Sequence, residues 1–144
     1  MPGTAFWIVA SMLAQGGIAL VLLAIMGRIR VPMVASGKMR VEAIALSREP
    51  WPEHEKRVSN AFDNQFQLPV LFYVDCSLAL YFGGTAFEAI LAVLFVLSRV
   101  AHAAVFATNN DVGRRFAFYT VGALLLSILW IDLAIRLLAR AGSM

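Results

Sequence analysis

Residues 57–76 read RVSNAFDNQFQLPVLFYVDC, and how this stretch is read decides the fold. It carries Arg57, Asn60, Asp63, Asn64, Gln65, Gln67 and Asp75, then runs directly into the apolar SLALYF of residues 77–82. Hydrocarbon penalises an ionisable side chain by about 2.5–3.5 kcal/mol on insertion scales, so such groups face a bundle interior or a wet cavity. On a helix, Arg57, Asn60, Asn64, Gln67, Leu71 and Asp75 step by three or four residues and share one face. The stretch therefore reads as one wall of a polar pocket inside a membrane bundle.

The rest of the chain supports a membrane setting. The 144 residues are 60% hydrophobic and only 15% charged, against about 25% charged in a soluble globule. Mean hydropathy is +0.76. Residues 1–27 hold no charged side chain. As a helix they would span roughly 40 Å, enough for a hydrocarbon core of about 30 Å. No basic segment precedes this run and no small-residue cleavage site follows it, so it reads as a retained span rather than a secretory signal. The net charge of +3 fits basic loops against anionic headgroups, and no basic-aromatic face points to nucleic acid. The lone Cys76 excludes an internal disulfide, and His54 and His102, far apart and without Cys neighbours, form no metal motif.

Four helices are expected, at about 4–34, 53–82, 86–107 and 112–139, in a single domain over residues 1–144. Pro50 and Pro52 close the polar first connection, Gly83-Gly84-Thr85 breaks the second, and Thr108-Asn109-Asn110-Asp111 has turn and cap character. Pro69 falls inside the second helix and should bend it. The implied architecture is all-α: an integral membrane four-helix antiparallel bundle. Residues 28–57 contain seven Lys/Arg and residues 99–115 three, against two near the C-terminal end. The positive-inside rule then places the first and third connections in the cytoplasm and both termini on the other side.

This topology brings polar groups to one level. Arg28 and Arg30 end helix one, Arg57 to Gln67 begin helix two, Arg99 and His102 approach the end of helix three, and Arg114 and Arg115 open helix four. Guanidinium forks suit carboxylates and amides suit a peptide-like group, so a pocket here would take an anionic or amphipathic ligand. Each residue alone has a plainer role: the four terminal arginines as headgroup anchors, Asn60, Asn64 and Gln67 as interhelical hydrogen-bond partners, and His102 as a packing residue. Asp75 fits a buried pair or a neutral carboxyl as well as a function. The coincidence across four helices is what favours a site.

Two segments carry a family resemblance. NAFDNQFQLP (60–69) resembles the second-helix motif of the MAPEG family, the membrane-associated proteins of eicosanoid and glutathione metabolism. LFVLSRVAHAAVF (94–106), with the basic pair at 114–115, resembles that family's third helix and following turn, and GRIR (27–30) the basic end of its first helix. The resemblance implies a four-helix protomer in a homotrimer, binding glutathione between subunits near the cytoplasmic side and acting on a lipophilic small molecule among membrane lipids. It implies catalytic roles for Arg115, Arg114 and His102, and glutathione contacts for Arg28, Arg30, Asn60, Asn64, Gln67 and Arg99. In such a site a guanidinium stabilises a thiolate beside a lipid-borne electrophile. Three positions depart from the pattern: Asn60 stands for Arg, Gln67 for the Glu that receives an ammonium, and Phe106 for an aromatic hydroxyl.

Two functions follow as expectations. One is a glutathione- or thiol-dependent transferase or peroxidase of the bacterial inner membrane. The other is a non-catalytic protein of the same fold that binds lipid or a membrane-protein partner. A proton relay through Asp75 and Asp132 has less behind it, since no inverted repeat is evident.

Overall fold

The computed structural model describes residues 3–142, so the two ends of the 1–144 span lie outside it. Among the described residues helices are the only regular secondary structure. Helix α1 spans Gly3–Ala35, the short α2 Val41–Ile44, α3 Glu53–Asp63, α4 Leu68–Tyr81, α5 Ala86–Ala107 and α6 Val112–Ala141. Three of these, α1, α5 and α6, are long and apolar enough to cross a membrane. Their outward faces carry exposed Leu13, Leu20, Leu97, Ile131 and Leu138, a pattern that suits lipid as the surrounding solvent.

The expected single helix over 53–82 is corrected to two. α3 ends at Asp63, Asn64–Phe66 tighten into a 3-10 turn, and α4 begins at Leu68. The cause lies in Pro69, which has no N–H and whose ring crowds the preceding turn. Gln67 leaves the helical conformation with φ −104° and ψ −105°, and Val70 N closes a tight turn on Gln67 O at 3.1 Å. This interruption also ends the expected polar face. Asp75 is buried, whereas Asn60, Gln67 and Leu71 are exposed.

α5 packs against α1 on one side and α6 on the other, α3 wedges between α1 and α5, and α4 rests on α6 and α1. Two apolar clusters result. One joins Ile8, Phe72, Phe95, Leu126 and Leu129, with Phe72 and Phe95 stacked at 4.4 Å. The other joins Leu22, Met26, Val58, Ala61, Ala103 and Phe106. Between them, by position along the helices, lies a polar layer of Gln15, Asn64, Gln65 and Arg99.

The turn between α4 and α5 is clamped from several directions. Thr85 Oγ1 accepts from Glu88 N at 3.2 Å, and Glu88 Oε2 accepts from Thr85 N at 2.7 Å, a reciprocal capping box. Arg136 of α6 pairs with the other Glu88 oxygen and donates to Gly83 O at 3.1 Å. Gly83 has φ +82°, a backbone conformation that other residues adopt only with strain.

Candidate functional site

At the opposite end, four of the sequence-derived residues meet around one cleft. Asn64, His102, Phe106, Val112, Arg115, Phe116 and Tyr119 line a space of about 310 Å³, near the lower end of ordinary ligand pockets. Arg99 lies behind Asn64 with no exposed surface. Its Nη2 donates to Asn64 Oδ1 at 2.9 Å and to Asn64 O at 3.2 Å. Its guanidinium carbon lies 5.9 Å from the Tyr119 ring centre. Nε and Nη1 have no partner among the described residues. The 3-10 turn matters here, because it brings both the carbonyl and the side chain of Asn64 to the same guanidinium.

The imidazole of His102 is oriented by a backbone carbonyl. Its Nδ1 lies 3.0 Å from Arg115 O. A carbonyl only accepts, so Nδ1 carries a proton, and in the neutral imidazole Nε2 keeps its lone pair. That Nε2 is buried and has no partner among the described residues. Phe106 and Tyr119 flank the ring, each with centroids 5.8 Å away.

Arg115 is held by the turn that precedes α6. Asp111 caps the helix, accepting from Arg114 N at 2.9 Å. Asn110 takes the left-handed conformation at φ 54°, which Asn tolerates better than most residues. Its side-chain oxygen then accepts from Arg115 Nη1 at 2.5 Å. The guanidinium carbon of Arg115 sits 4.2 Å from the Phe106 ring centre. Phe106, which lacks the hydroxyl expected from the family pattern, thus serves as a platform for the arginine.

The remaining candidates lie elsewhere. Arg30 Nε donates to buried Glu55 at 2.6 Å and its Nη2 to Ser59 at 3.2 Å, 5.1 Å from the Trp51 ring centre. It joins α1 to α3 and is engaged there. Arg28 is exposed, and so is Arg114, 3.9 Å from Asp111. Asn60 and Gln67 are exposed and do not line the cleft. Asp75, with neither carboxyl oxygen partnered among the described residues, belongs to the α4–α5–α6 end. Sequence reasoning missed Tyr119 and Asn110. Tyr119 lies four residues after Arg115 and so shares its helix face; Asn110 needed the turn geometry.

The cleft thus presents the Arg115 guanidinium and the Asn64 amide, with the His102 imidazole in its wall, Arg99 buried behind Asn64, and no carboxylate among its lining residues. It can hold an anion and accept a proton. A model of the MAPEG family matches residues 7–135, nearly the whole chain, and the protein belongs to that family. No curated protein matches the sequence.

Proposed function

We propose that this MAPEG-family membrane protein binds glutathione, or a related anionic thiol, in the Arg99–His102–Arg115 cleft and uses it as a transferase or peroxidase on lipophilic electrophiles. The observation that carries this reading is Arg99, a fully buried guanidinium with two nitrogens unpartnered and no carboxylate bonded to it among the described residues. An uncompensated buried charge costs several kcal/mol, and an anionic ligand held in the adjoining cleft would offset part of that cost through the low-dielectric interior.

The residues present fit the anionic parts of glutathione. Arg99, buried behind Asn64, supplies positive charge beneath the anion and holds the Asn64 side-chain oxygen, which leaves the Asn64 amide N–H groups to donate to a carboxylate. Arg115, stacked on Phe106, supplies positive potential where sulfur charge develops. His102 Nε2 accepts the thiol proton, while Nδ1 stays tied to the Arg115 carbonyl. Bound there, glutathione would supply the thiolate that forms a sulfur–carbon bond as the leaving group departs with its electron pair.

In this reading α3 and α4 together make the fourth crossing of an antiparallel four-helix bundle. The protein is a homotrimer of the inner membrane with both termini on the non-cytoplasmic side, and the cleft opens toward a neighbouring subunit. The test is the ultraviolet absorbance of thiolate on adding millimolar glutathione to the purified oligomer. A signal in the wild type that is lost in Arg99→Met is expected; no signal from an intact oligomer would sink the proposal.

A further inference from the structure

We propose that Asn110, in the turn between α5 and α6, is a positioning residue for thiolate formation: it aims the Arg115 guanidinium into the cleft without cancelling its charge. This role rests on the glutathione reading above, in which Arg115 faces the developing sulfur charge. An arginine side chain is long and rich in rotamers, so its guanidinium points only where it is held. Arg115 is held at two points. Its Nη1 donates to Asn110 Oδ1 at 2.5 Å, and its guanidinium carbon lies 4.2 Å from the Phe106 ring centre. Its Nε and Nη2 make no hydrogen bond among the described residues, which leaves them for a ligand in the cleft that Arg115 lines.

The turn presents Asn110 in a fixed pose. Asn110 N closes on Val105 O at 2.8 Å, and Arg57 of α3 donates to Thr108 O at 2.8 Å, so the turn is pinned from both α5 and α3. At φ 54°, residue 110 stands in the left-handed region, which glycine, asparagine and aspartate enter more readily than other residues. Of these three, glycine would build the same turn without an acceptor for Arg115. Aspartate would keep the acceptor but set a carboxylate on the guanidinium and neutralise it. Only the amide both makes the turn and holds the arginine while leaving its positive charge to the cleft.

The surrounding charges leave Arg115 unopposed. Asp111 is the one acidic residue in the turn, and its carboxylate is turned to Arg114, accepting from Arg114 N at 2.9 Å and lying 3.9 Å from Arg114 Nε. The other titratable groups in the cleft wall are His102 and Tyr119, with Arg99 buried behind Asn64. A carboxylate at residue 110 would therefore be the first acid in contact with this guanidinium among the described residues.

The test is a pH titration of thiolate absorbance, with millimolar glutathione and the intact purified oligomer, for the unaltered protein, Asn110→Asp, Asn110→Gly and Asn109→Ala. Asn110→Asp keeps the turn and the bond, and should move the midpoint of thiolate formation up by about one pH unit, roughly a tenfold loss of thiolate at a fixed pH below it. Asn110→Gly keeps the turn but releases Arg115, and should move the midpoint in the same direction. Asn109→Ala removes the 3.3 Å bond from Asp111 N without touching the bond to Arg115, and should lower the unfolding temperature with the midpoint unmoved. An unmoved midpoint in either Asn110 variant would overturn the proposal, as would an equal shift in Asn109→Ala, which would assign the effect to the turn alone. Thiolate missing from the unaltered protein at every pH would overturn the glutathione reading and this role with it, a result distinct from a thiolate signal indifferent to residue 110.

Discussion

Arg99 and Asn64 hold each other by two bonds from a single nitrogen, Nη2 to the side-chain oxygen at 2.9 Å and to the backbone carbonyl at 3.2 Å. Among the described residues no carboxylate shares the guanidinium, so the two partners respond differently to removal. Arg99→Met takes a desolvated charge out of the protein and should hold or raise the unfolding midpoint while abolishing thiolate formation. Asn64→Leu leaves the charge in place with one of its two bonds gone and should cost about 1–3 kcal/mol. Thermal unfolding in detergent, run beside the thiolate assay, separates the two. Equal destabilisation by both would contradict an uncompensated Arg99.

Arg30 and Glu55 make the opposite kind of pair. Glu55 is fully buried and Arg30 is its ionic partner. Arg30→Leu should lower stability by about 3–5 kcal/mol, because it strands the carboxylate. Arg30→Leu combined with Glu55→Leu should recover much of that loss, as a double-mutant cycle of unfolding free energies would register. Thiol binding by the refolded double variant should match the wild type.

Gly122 controls the approach of α6 to α5 beside Arg99. A Cβ there would lie 2.8 Å from Ser98 Oγ and 3.6 Å from Arg99 Cδ. Ser98 Oγ is tied to Phe95 O at 2.6 Å, so it yields only by giving up that bond. Gly122→Ala should cost about 1–3 kcal/mol from overpacking. Adding Ser98→Ala removes the clashing oxygen and should return most of the stability, measured by denaturation of the double variant.

Orientation can be read by thiol labelling. Cys76 is buried, so Cys76→Ser provides a silent background. Leu46 in the first connection and Ala141 at the end of α6 are both exposed. A membrane-impermeant maleimide should reach Leu46→Cys only from the cytoplasmic side and Ala141→Cys only from the other. The reverse pattern would invert the proposed topology.

Much of this was legible in the chain itself. Long, mostly apolar runs give α1, α5 and α6, because hydrocarbon leaves a backbone no alternative to internal hydrogen bonding. The segments 60–69 and 94–106 carry the family. Asn64, Arg99 and His102 stand at helical spacing on shared faces, and Arg115 follows from the basic pair that opens the last helix and resembles the family. That spacing failed at Gln67. A proline's effect on local backbone geometry, here a 3-10 turn, depends on what its neighbours can absorb, and beyond it the register no longer follows 3.6 residues per turn. Gln67 and Asp75 lie beyond the turn and leave the face that a continuous helix would share with Asn64, while Asn60, before the turn, is exposed on α3.

The sequence by itself determined an all-helical membrane protein of this family, because solvent partitioning and helical periodicity act along the chain and can be read from it. Which polar side chains are satisfied was decided only by the tertiary structure. Arg30 finds Glu55 across 25 residues, Gln15 finds Gln65 across 50, and Arg99 finds an amide in place of an acid. Hydrogen bonding is short-ranged and directional, so the identity of each partner depends on which helices become neighbours and on where one turn changes its pitch.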